Sequence, residues 1–93
     1  MADYYALLGR RLARAKRYPR IALRRGQQGT VKLRLRIAAD GTLLSVELAS
    51  ASRHRALNEA ALRLARESSP FPKPPAGAEH PIEVLVPVRY TLR

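Results

Sequence analysis

The side chains that could do chemistry in this 93-residue chain are two histidines, seven acids and a few serines, and their spacing builds no reactive centre. His54 and His80 lie far apart and outside metal-ligand spacing. The acids are scattered, without the paired carboxylates of general acid–base catalysis. Ser68–Ser69 falls at a predicted helix end, and Gly26–Gly29 lacks the lysine and the serine or threonine of a phosphate loop. The sequence therefore predicts no enzyme, no metal and no cofactor.

The chemistry that the composition does favour is binding of an anionic partner. The formal net charge is +11, and residues 1–25 hold eight of the eighteen basic side chains but one of the seven acids. Such a basic segment suits a nucleic acid, an anionic lipid surface or an acidic peptide, and it is also typical of arginines that serve solubility. A basic nucleic-acid-binding module stays an alternative, although the strands lack the interleaved aromatics that stack on bases. Nucleic acid is therefore not the expected partner.

Composition limits the class of protein further. Apolar residues make up 46% of the chain, which is ordinary for a globular domain. There are no cysteines. No apolar run approaches the ~18–20 residues of a membrane-spanning helix. We expect one small folded domain.

Apolar periodicity predicts a first helix over Asp3–Arg17, with Asp3 as its cap. The expected buried stripe is Tyr5, Leu8, Leu12 and Ala15. Pro19 disfavours helix at Tyr18, so the helix should stop about there. A short helical turn at Ile21–Arg24 is expected next.

Strict alternation then predicts a β-hairpin. The first strand, Thr30–Ala38, should bury Val31, Leu33, Leu35 and Ile37. Asp40-Gly41 is a strong turn signal, because glycine tolerates the positive φ of tight hairpins. The return strand, Leu43–Ala49, should bury Leu44, Val46 and Leu48. Glu47 is expected to pair with the basic outer side of the first strand.

A second helix is predicted from about Arg53 or Arg55 to Glu67, with Ser52 as its N-cap. Its inner stripe should be Leu57, Ala60, Ala61 and Leu64. The proline-rich segment Pro70–Pro75 ends it. Phe71, between prolines, is expected to plug the edge of the core.

The final strand, Ile82–Leu92, carries Pro87, and proline cannot donate to a sheet ladder. Pro87 therefore predicts an edge strand with its nitrogen turned outward. By alternation, the backbone groups of Leu85 and Arg89 should also face out. Unpaired edges bind extended peptides by strand addition. The predicted fold is α+β: a two-layer α-β-β-α-β arrangement with a three-stranded antiparallel sheet and helices on one face.

This ordered set of signals covers most of the chain, from about Leu12 to Leu92. Its pieces are Tyr18-Pro19, Gly29 followed by Val31-x-Leu33-x-Leu35, Asp40-Gly41, Val46-x-Leu48, Leu57–Leu62 and Phe71–Pro74. Together they resemble the C-terminal domain of the TonB energy-transducer family. A TolA-like envelope domain shares the general architecture, but such domains usually carry a disulfide.

The resemblance implies a periplasmic domain of a protein anchored in the inner membrane of a Gram-negative bacterium. It implies binding to the TonB box and plug of outer-membrane transporters, and proton-driven work supplied by ExbB–ExbD for uptake of siderophores, haem or cobalamin. The anchor and the Pro-rich linker are absent from these 93 residues, so an excised domain is expected. We expect a monomer or a weak strand-exchanged dimer, with an N-terminal helix at 1–17 and the TonB-like domain at 18–93.

Residue by residue, the resemblance predicts two partner-binding segments. The first, beside which the TonB box would add as a strand, is Ile82, Glu83, Val84, Leu85, Val86, Pro87, Val88, Arg89 and Tyr90. The second is Arg14, Ala15, Lys16, Arg17 and Tyr18. Here Ala15-Lys16-Arg17 replaces the Gln-rich stretch of the best-known members.

Overall fold

Six elements follow one another in the computed structural model, which describes residues 2–92. They are α1 (Ala2–Ala15), α2 (Arg20–Arg24), β1 (Gly29–Ile37), β2 (Leu43–Ser50), α3 (Arg55–Ser68) and β3 (Ile82–Tyr90). The predicted division into a helix at 1–17 and a domain at 18–93 begins at Met1 and ends at Arg93, and both of these residues lie outside the described range. None of the helices within residues 2–92 has the length and apolar character to cross a bilayer.

The sheet is antiparallel with strand order β2-β1-β3, so β1 is central and both later strands are edges. The strict alternation predicted for β1 is confirmed, since its four apolar side chains are fully buried. β3 pairs with β1 in an unbroken register from Gly29 opposite Tyr90 to Ile37 opposite Ile82. The predicted α+β fold and the edge position of the last strand are thus confirmed.

The prediction for the inward-facing residues of β2 was right at Val46 and wrong at Leu44 and Leu48. Leu44 is 53% exposed and Leu48 is 36% exposed, while Leu43 and Val46 pack against the core. Leu48 stays in register opposite Leu33, so no register shift accounts for its exposure. Two register shifts leave Leu44 and Ala49 without a partner on β1, and the one at Leu44 turns Leu43 inward in its place. An extra residue in one strand reverses which side chains face inward beyond it.

The predicted buried stripe of α1 was right at Leu8 and Leu12 and wrong at Tyr5 and Ala15. Tyr4 is 5% exposed and packs with Leu8 and Leu12, whereas Tyr5 is 46% exposed and Ala15 is exposed. The buried stripe therefore follows i, i+4, i+8 spacing. Tyr4 also donates a 2.8 Å hydrogen bond to the carbonyl of Pro72. The helix ends at Ala15, two residues earlier than predicted, and Asp3 lies inside its first turn rather than at its cap.

The predicted N-cap of α3 was also wrong. His54 is the flanking residue and makes no side-chain capping bond. Ser52 instead holds the approach to the helix: its Oγ accepts from the His54 N–H at 3.1 Å and lies 2.8 Å from Asn58 Oδ1. The inner stripe is confirmed at Leu57, Ala61 and Leu64, and Ala60 packs partly buried beside them.

Two polar contacts hold the helices and the hairpin to the proline segment. Arg11 of α1 donates 2.8 and 3.1 Å hydrogen bonds to the carbonyl of Ser68, the last residue of α3, and a 3.0 Å bond to that of Pro70. At the hairpin, Phe71 N–H donates to the Gly41 carbonyl at 2.8 Å. Phe71 is 3% exposed, so its predicted core role is confirmed.

Candidate partner-binding edge

The outer side of β3 presents a row of backbone groups that pair with no neighbouring strand among the described residues, which we call the open edge: those of Glu83, Leu85, Pro87 and Arg89. In an antiparallel pair, alternate residues point their N–H and C=O groups at the partner strand or away from it. Pro87 has no N–H to give to β1, which places it and the other odd-numbered residues in the outward set.

Two contacts around the strand agree with that parity. The Lys16 ammonium donates to the Arg89 carbonyl. A carbonyl that faced β1 would bond to that strand instead, so the contact agrees with an outward direction. Leu92 N–H, of the other parity, turns toward the start of β1 and donates to Gln28 Oε1 at 2.7 Å. The backbone direction deduced from Pro87 therefore holds to the end of the strand.

The first predicted segment, residues 82–90, divides into residues with buried side chains and residues with exposed side chains. The even-numbered residues are all buried, and they are Ile82, Val84, Val86, Val88 and Tyr90. Their side chains anchor β3 to the core. The odd-numbered residues are exposed, and Leu85 at 61% is the most exposed large apolar side chain. A strand added here would thus meet the backbone and side chains of four residues of the nine.

The other edge of the sheet is less suited to strand addition. β2 carries the two register shifts at Leu44 and Ala49, and bulges interrupt the row of backbone groups that an added strand needs. β3 has no such interruption over its nine residues. The regular free edge of the sheet is therefore β3.

The second predicted segment lines an open groove of about 680 Å³ between the end of α1 and α3. The segment 14–18 forms one wall. The facing residues on α3 are Ala60, Arg63, Leu64 and Glu67. Arg63 was not singled out from the sequence, because an exposed arginine on a helix carries no signal of what faces it.

The two segments meet around Tyr90. The Lys16 ammonium lies 5.4 Å from the centroid of the Tyr90 ring. Tyr18 packs edge-on against the same ring, with centroids 5.4 Å apart and planes at 85°. The Tyr18 hydroxyl donates to the Gln27 carbonyl, which ties the connector to the start of β1. Nothing in the sequence pattern indicated this junction, because it joins residues that are far apart along the chain.

Some of the cations near the open edge form no ion pair among the described residues. Arg34 on the outer sheet face lies 2.8 Å from Glu47, as predicted, and 3.7 Å from Glu83. The hydrogen bond to Glu47 raises the pKa of Arg34 above its ordinary value. Both outer-face acids are thus engaged by one arginine. Arg36 and Arg89 have no ion pair among the described residues, so the face is complementary to an acidic segment.

The Tyr90 hydroxyl is buried without a hydrogen-bond partner among residues 2–92, and this gives a prediction about stability. An unpaired buried hydroxyl costs about 1–3 kcal/mol, so Tyr90→Phe should stabilise the domain by about 1 kcal/mol or more. Tyr4→Phe is the matched control, because its hydroxyl is bonded to Pro72. It should destabilise by about 1 kcal/mol. Urea unfolding measures both, and two changes of the same sign would contradict the assignment.

The stability of the domain should also depend on pH through Tyr90 and Tyr4. Burial, and then the nearby Tyr18, raise the pKa of Tyr90 above its usual value. An unfolded tyrosine loses its proton near pH 10, so the unfolded state deprotonates first and stability falls as pH rises above about 10. Tyr90→Phe should therefore flatten that fall. Burial also raises the pKa of Tyr4, so a smaller fall should remain.

No group of three or more metal-ligating side chains comes together within residues 2–92. His80 is exposed, and His54 is partly buried at the start of α3. The arrangement offers backbone donors and acceptors along one strand, with cations around them.

These features define the chain as a two-layer α+β domain with one regular, unpaired edge strand. It belongs to the family described as "Gram-negative bacterial TonB protein C-terminal", whose family model matches residues 14–92. Protein TonB of Pseudomonas putida is 41% identical over 85 residues, which cover 89% of this chain and 35% of that protein. Protein TonB of Helicobacter pylori is 32% identical over 78 residues, with 83% and 26% covered. The chain thus spans about a third or less of these relatives.

Solved structures agree with the family. The solution structure of the Helicobacter pylori TonB C-terminal domain superposes with a TM-score of 0.86 at 26% identity, covering 100% of this chain and 84% of that one. The HasB C-terminal domain superposes with a TM-score of 0.64 at 33% identity, covering 98% and 71%. The resemblance read from Tyr18-Pro19 through Phe71–Pro74 is confirmed.

Proposed function

We propose that this domain binds an extended segment of an outer-membrane transporter, the TonB box, by strand addition to the open edge. The single observation that carries the proposal is the regular β3 edge, whose outward backbone groups follow from Pro87 and agree with the Lys16 contact. Membership of the TonB C-terminal family supports the choice of partner. The role is binding and force transmission rather than catalysis.

The affinity expected of such an edge is modest. Each backbone hydrogen bond contributes ~0.5–1.5 kcal/mol net, and ordering a short peptide consumes part of that. Micromolar binding follows. Weak bonds in a row suit a contact that forms, bears load along the strand and then releases.

The wider setting is part of the same proposal. The domain would work in the periplasm, linked through parts of the protein beyond these residues to an inner-membrane anchor and to ExbB–ExbD. Proton-driven pulling on the transporter segment would then open the path for siderophores, haem or cobalamin. Support for this comes from the relatives, which are about three times as long as this chain or longer.

Charge should direct the encounter. The domain carries a net +11, and Arg14, Arg17 and Arg89 are exposed near the two segments. An acidic peptide would be drawn to this side, and added salt should slow its association. We propose that segment 14–18 makes a second, lesser contact across the groove.

A backbone NMR titration tests the proposal. The probe is an acetylated, amidated heptapeptide with one acidic residue followed by alternating threonine and valine. Amide shifts should concentrate in residues 82–90, with smaller ones in 14–18, and should saturate in the micromolar range. The control peptide has two of its residues replaced by proline, which removes N–H donors.

Other outcomes would redirect the assignment. Equal shifts with the proline-containing control would mean that strand pairing is not the mode of binding. No shifts with either peptide, together with broad shifts over residues 10–25 on adding DNA, would favour the nucleic-acid-binding alternative. Sedimentation of the free domain should show mainly monomer, and a tight dimer would contradict an accessible edge.

A further inference from the structure

The C-terminal end of the open edge is closed by a side chain of the domain itself. Lys16 donates from its ammonium to the outward-facing carbonyl of Arg89. The same ammonium lies over the ring of Tyr90, and Tyr18 supports that ring from the side. The lysine is therefore held in place by its hydrogen bond and by a cation–π contact.

We propose that Lys16 sets the register of the added strand, so that pairing runs along Glu83–Pro87 and stops before Arg89. This inference rests on the proposed function. An incoming strand that pairs completely past Pro87 must place an N–H on the Arg89 carbonyl. That carbonyl already accepts from an ammonium, and a charge-assisted bond is stronger than one from a neutral amide. Although a carbonyl oxygen has two lone pairs, the ammonium lies on its outward side, where the incoming N–H would have to approach.

The groups left along the edge define what the partner can use. Glu83 and Leu85 each offer both an N–H and a carbonyl. Pro87 offers a carbonyl alone, and Arg89 retains an N–H alone because Lys16 holds its carbonyl. Complete pairing sites thus lie at the N-terminal half of β3. The fitting partner is a short extended segment that leaves the sheet after Pro87.

The pair Lys16→Met and Arg17→Met tests this in the whole domain, with the acidic heptapeptide as the probe. Both changes remove one cation from the same connector, and methionine keeps an unbranched apolar side chain at each position. Arg17 makes no hydrogen bond or ion pair within residues 2–92, so its variant controls for charge.

In the natural chain the peptide-induced amide shifts within residues 82–90 should be largest over Glu83–Pro87 and small at Arg89, and Lys16→Met should enlarge the shifts at Arg89 and beyond. It should also bind the peptide about 2- to 10-fold more tightly than Arg17→Met, which corresponds to one added backbone hydrogen bond. A Lys16→Met domain that matches Arg17→Met in both affinity and shift pattern would overturn the register proposal.

A second measurement does not depend on any peptide. The 13C carbonyl resonance of Arg89 in the free domain should move in Lys16→Met and stay in place in Arg17→Met. If no variant binds the peptide, the proposed function fails, and this resonance still decides whether Lys16 closes the edge. An Arg89 resonance that is unchanged in both variants would remove the basis of the inference.

Discussion

Replacing Gly41 with alanine is expected to destabilise the domain by about 2–5 kcal/mol, a large part of the stability of a small domain. Gly41 has φ +94°, a conformation that L side chains rarely adopt. A Cβ there would overlap the Phe71 carbonyl oxygen and lie 3.1 Å from its carbon. The hairpin loop would have to move away, which would break the Phe71 N–H bond to the Gly41 carbonyl.

Gly77→Ala is the matched control for Gly41→Ala. Gly77 has nearly the same backbone angle, φ +90°, but nothing lies within 4 Å of where its Cβ would stand. Gly77→Ala should therefore destabilise the domain only through backbone strain, by about 1 kcal/mol. Thermal or urea unfolding compares the two. Equal losses would mean that the contact with Phe71 does not constrain the hairpin.

Replacing Leu85 with proline is expected to weaken binding of the acidic heptapeptide by more than 10-fold while the domain stays folded. The Leu85 N–H faces away from β1, so its loss costs the sheet no ladder bond, as the native Pro87 shows. The added strand would lose a donor and would meet a proline ring where it must pair. Titration by NMR or calorimetry measures the loss.

Leu85→Ala separates the backbone from the side chain at this position. It removes the exposed apolar group, which is 61% accessible, and keeps the N–H. Its affinity should stay within about 3-fold of the natural chain if backbone bonds dominate. If Leu85→Ala and Leu85→Pro weaken binding equally, the side chain carries the contact and strand addition is not the mechanism.

The sequence predicted the fold wherever the residue pattern and the backbone geometry had the same period. β1 and β3 alternate without interruption, so their buried faces, the three-stranded sheet and the edge position of Pro87 were all predictable. β2 was not, because bulges at Leu44 and Ala49 break the alternation and leave no mark in composition. In α1 both Tyr4 and Tyr5 fit a helical stripe, and only packing against Pro72 distinguishes them.

The sequence predicted the strand of the candidate site, but it did not predict which other residues lie around that strand. Alternation indicated which backbone groups of β3 face outward. The junction of Lys16, Tyr18 and Tyr90 depends on how the connector crosses the end of the sheet, and no local pattern encodes that path. The facing wall of the groove on α3, including Arg63, was missed for the same reason.

The bulges in β2 have a consequence for how copies of this domain can assemble. A sheet with two regular edges can grow at both ends, and each added copy leaves a new end for the next, which is how fibrils propagate. Here one end is interrupted at two points and the other is regular. Two copies joined through β3 would bury both regular ends and leave none to extend. We therefore expect self-association of this domain through its sheet edges to terminate at a pair, which would protect it from polymerising along the open edge.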